Sequence, residues 1–257
     1  MIVVIDVGNT HTVFGVFQQG ALQARWRFAT DVYRTSDEYA VLLRSSFQSA
    51  GLTMEQVKGS IVATVVPPLL RTIQVMCKAL FGHAAVVVGP GIRTGLNIMT
   101  DHPSEVGADR IVNAVAALTR FPVPLIIIDF GTATTFCYIN AKRQYMGGVI
   151  LPGLQLSADA LYEKASKLTR TELTRPLGVI GKNTTSSLQS GLYYGGVGQV
   201  EGIVSQIKEE ANAEPTVVAT GGLSTFLAKD LPCIDVIDPH LTLKGLYDLY
   251  VKNERSI

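Results

Sequence analysis

A short pattern that occurs twice constrains this chain more than any other feature. The segments Ile5–Thr12 and Ile128–Thr135 share Ile, Asp, Gly and Thr at four of eight positions, at a constant spacing of 123 residues. Each pattern begins in an apolar run, Ile2–Val7 or Pro124–Asp129, that is typical of a buried strand. Asp-x-Gly followed by hydroxyl or amide residues then predicts a tight turn into a second strand. We therefore expect two related strand–turn–strand units.

The elements around these two turns are predicted to follow the same order. Three strands, a helix, a strand, a helix and a strand are predicted in the first half, and the order starts again after Phe121–Pro124. Two similar α/β halves, residues 1–121 and 122–257, are therefore expected. The predicted strands of both halves are 2–7, 12–17, 21–28, 61–66, 85–88, 124–129, 135–139, 144–150 and 218–220, and the first-half helices are 36–50, with Ser36 as its cap, and 69–81.

The two turns have the chemistry of a phosphate clamp. A carboxylate at the end of a buried strand is costly unless another group compensates its charge. After Asp6, backbone N–H groups can approach a polyphosphate closely, with Asn9, Thr10 and Thr12 as further donors, and Asp6 would hold the accompanying Mg²⁺. The turn after Asp129 would act from the opposite side. One Asp-x-Gly alone would favour a plain hairpin turn, whereas the matched pair favours the clamp.

Other nucleotide-binding patterns fail on the residues present. Gly181–Thr184 is similar to the end of a P-loop, but Pro176 stands where that pattern requires glycine. The segment Gly191–Gly202 has glutamate in place of the third glycine of GxGxxG, and no buried strand precedes it. We predict a helix there, in which Gly195 and Gly198 let a neighbouring segment or the nucleotide approach.

A helix is also predicted to begin at Gly107–Arg110, because an apolar stripe follows it at helical spacing. Asp109 has two interpretations. It either caps the helix, or takes the proton from a substrate hydroxyl while the γ-phosphoryl group is transferred. Arg110 can form a bidentate contact with a substrate carboxylate or phosphate.

Five motifs in this order resemble those of type III pantothenate kinases, in the acetate and sugar kinase/Hsp70/actin superfamily, and the resemblance covers essentially the full chain. The motifs are Asp6–Thr10, Gly107–Arg110, Asp129–Thr134, Gly147–Gly153 and Thr220–Gly222. The resemblance implies a duplicated ribonuclease-H-like (actin-like ATPase) fold, with a nucleotide cleft between the two halves. It also implies a homodimer that phosphorylates pantothenate to 4′-phosphopantothenate with ATP, the first step of coenzyme A biosynthesis.

Taken with that resemblance, the predicted site has three parts. Asp109 is the base, Asp6 holds Mg²⁺ with ATP, and Asp129 holds a monovalent cation, K⁺ or NH₄⁺. The predicted ATP-binding residues are Asp6, Val7, Gly8, Asn9, Thr10, His11, Thr12, Val13, Gly131, Thr132, Gly221 and Gly222. The predicted pantothenate-binding residues are Thr100, Gly107, Ala108, Asp109, Arg110 and Thr184.

Thr100 and Thr184 differ from the other predicted pantothenate-binding residues. The family commonly has tyrosine at the position of Thr100, so that wall of the pantothenate pocket departs from the family pattern. Thr184 has an alternative interpretation as the N-cap of the helix that follows it.

Composition disfavours other classes of protein. A net charge of +1 argues against a nucleic-acid-coating protein. The longest uncharged stretch, residues 183–200, is rich in Gly, Ser, Thr and Tyr and does not suit a lipid-facing span, and the N-terminus has no basic region of the kind a signal peptide requires. Three cysteines without a CxxC pair indicate reduced thiols. We expect a soluble, cytoplasmic protein with neither nucleic acid nor membrane as a partner.

Two rival functions remain open on the sequence. One is another small-molecule kinase or an ATPase on the same fold. The other is a non-catalytic nucleotide-binding regulatory or transcription-accessory protein, which would have no need of a base such as Asp109.

Overall fold

A computed structural model describes residues 1–166, 168 and 170–254. The chain divides into two compact units. The first unit holds Met1–Leu96, His102–Thr119 and the C-terminal segment from Leu241, and the second holds Asn97–Asp101 and Arg120–His240. This grouping differs from the predicted division at residue 121, because the C-terminal helix belongs with the first unit.

The first unit is built on a five-stranded sheet with helices on both faces. Its strands are β1 (Ile2–Val7), β2 (His11–Gln18), β3 (Ala21–Ala29), β4 (Gly59–Thr64) and β5 (Val86–Val87). Its helices are α1 (Ser36–Ser49), α2 (Pro67–Phe81), α3 (Ala108–Arg120) and, following α4–α6 of the second unit in chain order, α7 (Leu241–Glu254). The strand order is β3-β2-β1-β4-β5, with β1, β2 and β3 antiparallel and with β4 and β5 parallel to β1.

Burial on both faces explains why β1 is a continuous apolar run. Val3, Ile5 and Val7 pack in a cluster with residues of α1 and α2 on one face. Val4 packs with residues of α3 and α7 on the other face. A strand covered on both sides has no solvent-facing positions, so its sequence does not alternate.

The second unit has a six-stranded sheet in the order β11-β10-β7-β8-β9-β6. Its strands are β6 (Asn97–Ile98), β7 (Leu125–Phe130), β8 (Ala133–Ile139), β9 (Gln144–Pro152), β10 (Thr216–Thr220) and β11 (Val236–Ile237). Its helices are α4 (Leu154–Lys164), α5 (Thr184–Ala211) and α6 (Ser224–Leu227). Apart from the added β6, the strand order repeats that of the first unit, so β7 corresponds to β1 and β10 to β4.

Three local predictions are corrected by the structure. The N-cap of α1 is Thr35, not Ser36, and Thr35 forms a capping box with Glu38. Helix α2 begins at Pro67, two residues before the predicted start, because proline is compatible with the first turn of a helix. The glycine-rich helix forms as part of α5, but the glycine against which a neighbour packs is Gly196. A Cβ there would lie 2.8 Å from the Leu154 side chain, whereas a Cβ on Gly195 or Gly198 would have no atom within 4 Å apart from the backbone of its own helix and its chain neighbours.

Within the described ranges, no helix combines the length and the apolar character that a membrane span requires.

Candidate functional site

The first turn, Gly8–Thr10, joins β1 to β2 and exposes its tip. Asp6 is half-buried at the end of β1, next to Val7, which is buried, and Val13 lies opposite Asp6 on β2. The Gly8 N–H donates to the carbonyl of His11 across the turn at 3.0 Å. Asn9, Thr10 and His11 are exposed, so the tip of the turn is accessible to a ligand.

The position of the Thr12 side chain does not fit its predicted role as a phosphate donor. Its side chain is fully buried, and its hydroxyl lies 3.0 Å from the Thr30 hydroxyl and 3.4 Å from the Tyr39 hydroxyl. The structure therefore places the Thr12 hydroxyl in an internal network and not on the exposed turn. The alternation of β2 decides this, because Thr12 lies on the same face as the buried Phe14.

His11 remains on the exposed side of the turn. Burial, and to a smaller extent the charge of Arg27, lowers the pKa of His11 below its ordinary value. Without a bound ligand, the neutral imidazole therefore predominates at pH 7.

The second turn, Gly131–Thr132, joins β7 to β8 and is likewise exposed. Asp129 is half-buried at the end of β7, in the position that Asp6 has on β1. The Gly131 N–H donates to the carbonyl of Ala133 at 3.1 Å, and the Thr132 carbonyl accepts from the Gly153 N–H at 3.0 Å.

Two glycines pack directly against this second turn. A Cβ on Gly153 would lie 2.4 Å from the Thr132 carbonyl oxygen and 2.5 Å from that of Gly131. Gly221 has a φ of +91°, and a Cβ on it would lie 2.5 Å from a carboxylate oxygen of Asp129. The predicted residues Asp129, Gly131 and Gly221 are therefore brought together, and Gly222 follows on the exposed side.

A cavity of about 550 Å³ is lined in part by residues that are close in sequence to these two glycines. Gln155, two residues after Gly153, and Leu223, two residues after Gly221, both line it, together with residues 170–173. The cavity is open to solvent and not enclosed.

Asp109 lies in the first turn of α3, directly after Ala108. Its carboxylate oxygen Oδ1 accepts a hydrogen bond from the Arg110 N–H at 2.8 Å, and the Gly107 carbonyl accepts from the Ile111 N–H at 3.1 Å. A Cβ on Gly107 would lie 2.5 Å from the same Oδ1, so only glycine leaves room for this orientation of the carboxylate. The carboxylate contributes to the helix start through one oxygen, and this is compatible with a further role.

The two remaining substrate positions lie in the second unit. Thr184 is exposed at the first position of α5, whose N-cap is Asn183, so the alternative interpretation of Thr184 as the cap is wrong. Thr100 follows β6, and its hydroxyl is buried without a hydrogen-bond partner among the described residues. An orphaned buried hydroxyl is uncommon and fits a group that binds a ligand.

The sequence did not predict an ion pair in the segment that leads to Thr184. Arg175 binds Asp230 through two hydrogen bonds, of 2.7 and 2.8 Å, and Tyr193 donates to Asp230 at 2.7 Å. These partners, the Arg175 guanidinium first, hold the pKa of Asp230 below its ordinary value. The partners are 55 and 37 residues apart in the chain, so no local pattern could have indicated the contact.

Metal sites made only of protein groups are not found in the described part of the chain, where no three His, Cys, Asp or Glu side chains cluster. A cation at Asp6 or Asp129 would therefore need oxygen ligands from phosphate, backbone and water. Such a mixed set is the ordinary coordination of Mg²⁺ at nucleotide sites.

A family model described as type III pantothenate kinase matches residues 2–206. Among solved structures, a proposed Baf family transcriptional activator from Campylobacter jejuni is similar at 17% identity and a TM-score of 0.62, over 98% of this chain and 99% of that one. Component A of (R)-2-hydroxyglutaryl-CoA dehydratase from Acidaminococcus fermentans has 14% identity and a TM-score of 0.57, over 100% and 99%. A ROK hexokinase from Thermus thermophilus has 14% identity and a TM-score of 0.51, over 99% of both chains. At these identities the structures show the fold alone, and they confirm the duplicated ribonuclease-H-like (actin-like ATPase) class.

Proposed function

We propose that this chain, which belongs to the type III pantothenate kinase family, transfers the γ-phosphoryl group of ATP to the primary hydroxyl of pantothenate. Family membership together with the kinase-type fold supports a kinase. One observation carries the proposal further. Both exposed Asp-x-Gly turns stand at equivalent strand ends of two sheets with the same strand order, as a phosphate-binding pair requires.

ATP is proposed to bind through the two turns. The backbone N–H groups around Asn9 and Thr132 would contact the phosphates, and Asp6 would hold Mg²⁺ with them. The residues fit this ligand, because both turns are exposed and Gly221 lets the chain pass close to Asp129 where any side chain would intrude. The cavity that Gln155 and Leu223 line is proposed to accept the nucleoside.

The chemical step is assigned to Asp109. Its carboxylate would take the proton of the pantothenate hydroxyl as the oxygen attacks the γ-phosphorus and the bond to the β-phosphate oxygen breaks, which releases ADP. One carboxylate oxygen accepts from the Arg110 N–H, and this contact orients the side chain. The Arg110 guanidinium is proposed to bind the pantothenate carboxylate, and the Thr100 and Thr184 hydroxyls to bind its polar backbone.

A monovalent cation is proposed at Asp129. The carboxylate is half-buried beside the second turn, and K⁺ or NH₄⁺ there would offset its charge and that of the phosphates as the phosphoryl group moves. Gly131 and Gly221 both lie close to this carboxylate, since a Cβ added to them would be 3.6 and 2.5 Å from its oxygen Oδ1.

A homodimer is proposed through an apolar surface of the second unit. Leu177, Val179 and Ile180, in the segment before α5, are largely or fully exposed, and Leu156 and Tyr162 on α4 are about half exposed. A group of exposed apolar side chains such as that of residues 177–180 is typical of protein interfaces. A second copy of the chain would cover them. A mass measured by light scattering tests this, and a fully active monomer would contradict it.

The function is tested by ADP release in a coupled assay with and without pantothenate, with the product identified by mass spectrometry. Turnover that depends on pantothenate and yields phosphopantothenate is expected. ADP release without an acceptor would point to an ATPase. Turnover only with a different alcohol would point to another small-molecule kinase. ATP binding without turnover would favour the nucleotide-binding regulatory protein.

A further inference from the structure

Thr30 makes two hydrogen bonds with the first turn and a third polar contact with Thr12 on β2, 18 residues before it in the chain. It directly follows β3 and is half-buried. Its N–H donates to the carbonyl of Thr10 at 2.9 Å, and its hydroxyl donates to the carbonyl of Gly8 at 2.7 Å. The same hydroxyl lies 3.0 Å from the Thr12 hydroxyl.

The direction of the hydrogen bonds follows from counting protons. The Thr30 hydroxyl has one proton, which it donates to Gly8, so in its contact with Thr12 it must accept. Thr12 has then used its own proton and accepts from the hydroxyl of Tyr39, 3.4 Å away. The result is a directed chain from Tyr39 through Thr12 and Thr30 to Gly8. Tyr39 and Thr12 are fully buried, and hydrogen bonds strengthen one another in such surroundings.

The contacts with Thr30 orient the amides of the turn. A trans peptide plane points its C=O and the following N–H in opposite directions. Because the carbonyls of Gly8 and Thr10 point to Thr30, the N–H groups of Asn9 and His11 point away from it. Asn9 and His11 lie in the exposed part of the chain around the turn, where a phosphate would bind.

We infer that Thr30 is a positioning residue, which fixes the first turn so that the Asn9 and His11 amides are oriented for phosphate before the nucleotide arrives. The inference rests on the proposed binding of ATP at this turn. Donors that are oriented in advance need no reorganisation when the anion binds, and this raises affinity. Thr30 itself does not touch the nucleotide.

The test compares Thr30→Val with Thr30→Ser. Valine has the shape of threonine and keeps the backbone N–H but loses the hydroxyl, whereas serine keeps the hydroxyl. The dissociation constant of Mg-ATP is measured by calorimetry, and the free energy of unfolding by urea denaturation. We expect about a tenfold weaker affinity for Thr30→Val, the size of one hydrogen bond, and within about twofold of wild type for Thr30→Ser.

Thr119→Val is the matched control. The Thr119 hydroxyl also donates to a backbone carbonyl in the first unit, that of Val115 at 2.9 Å, but Thr119 is exposed on α3. This variant loses a hydrogen bond of the same type, so it should lose less stability than Thr30→Val and keep its ATP affinity. If Thr30→Val keeps wild-type affinity, or if both valine variants lose affinity in proportion to stability, Thr30 is only a structural residue and the inference is wrong.

A second variant covers the case in which Thr30→Val does not fold. Tyr39→Phe removes the first donor of the chain and should weaken ATP binding by about twofold to threefold, since the Thr30–Gly8 bond remains. An unchanged affinity there would then overturn the inference. Binding of ATP without pantothenate turnover would reject the proposed reaction and leave the Thr30 result valid, whereas no ATP binding by the wild-type protein would overturn both.

Discussion

The two Asp-x-Gly turns occupy equivalent places in two sheets of the same strand order, yet they are held by different means. The first turn is braced by side chains, in a network of hydroxyls that reaches the carbonyl of Gly8 through Thr30. The second turn is braced by backbone, because Gly153 donates to Thr132 and Gly221 packs against Asp129 without a side chain.

The two units therefore share the strand order and the carboxylate, but different contacts hold the two turns in place. A hydroxyl network can be weakened one bond at a time, at about 1 kcal/mol per bond. Close packing of backbone against glycine has no such gradation, since any side chain must displace main-chain atoms. The second turn should therefore tolerate substitution less than the first.

Replacing Gly153 with alanine should have the largest effect. The new Cβ would meet two carbonyl oxygens at 2.4 and 2.5 Å, so the turn or β9 must shift. We expect a fall of about 3 kcal/mol in the free energy of unfolding, measured by urea denaturation, together with weaker ATP binding. Gly8→Ala in the first turn, where the Cβ would lie 3.2 Å from the His11 carbonyl, should cost less than about 1 kcal/mol.

Gly202→Ala is the control for this pair, because no atom lies within 4 Å of its built Cβ on α5. It should leave stability unchanged or raise it by up to about 1 kcal/mol through helix propensity. Equal losses in the free energy of unfolding for Gly153→Ala and Gly8→Ala would contradict the expected difference between the two turns.

Asp109→Asn should slow the chemical step without changing ATP binding at the two turns. Asparagine keeps the size of the side chain and an oxygen for the Arg110 N–H, so folding and ATP affinity should survive. The loss of a proton acceptor should lower kcat by roughly 10², the lower end for a general base in phosphoryl transfer. Near-normal kcat would leave Asp109 as a helix-start residue only, and lost ATP affinity would place it elsewhere in the site.

Asp129→Asn and Asp6→Asn should show that the two turns bind different cations. The Asp129 variant should lose its dependence on K⁺, with kcat down about tenfold, while the Asp6 variant should weaken Mg-ATP binding instead. Initial rates in potassium and in sodium buffer, each over a Mg²⁺ series, provide the measurement. Equal wild-type rates in the two buffers would contradict the assignment of Asp129.

Removing the ion pair in the second unit should have the smallest effect, and one that depends on pH. The Arg175 guanidinium lowers the pKa of Asp230 below its ordinary 3.8, so the pair stabilises the fold above that pH. This contribution disappears as the pH falls through the lowered pKa. Arg175→Gln should therefore lower the urea midpoint at pH 7, and the difference from wild type should shrink towards pH 2.

Arg170→Gln serves as the control, since Arg170 is highly exposed and lies 3.6 Å from Asp159. Exposed pairs of this kind contribute little. A difference between Arg175→Gln and wild type that persists unchanged at low pH would mean that packing of the Arg175 side chain, and not its charge, stabilises the segment.

The sequence by itself determined the elements whose signals are local. The run Ile2–Val7, the turn after Asp6 and their repeat 123 residues later are patterns of adjacent residues, and each formed within two residues of its predicted bounds. The order of strands and helices followed from them, and so did the fold class, since matched halves have few ways to cover their apolar faces.

Tertiary structure alone decided which way side chains face and what supports them. The choice of Gly196 over Gly195 as the packing glycine depends on the rotation of α5 about its axis, which its neighbours set. Thr12 lies inward because the sheet is covered on that face, and Thr30 reaches Gly8 across β2 and β3. Helix α7 completes the first unit from the far end of the chain. Such contacts join residues that are distant in sequence, and their energies depend on the assembled fold, so no local pattern carries them.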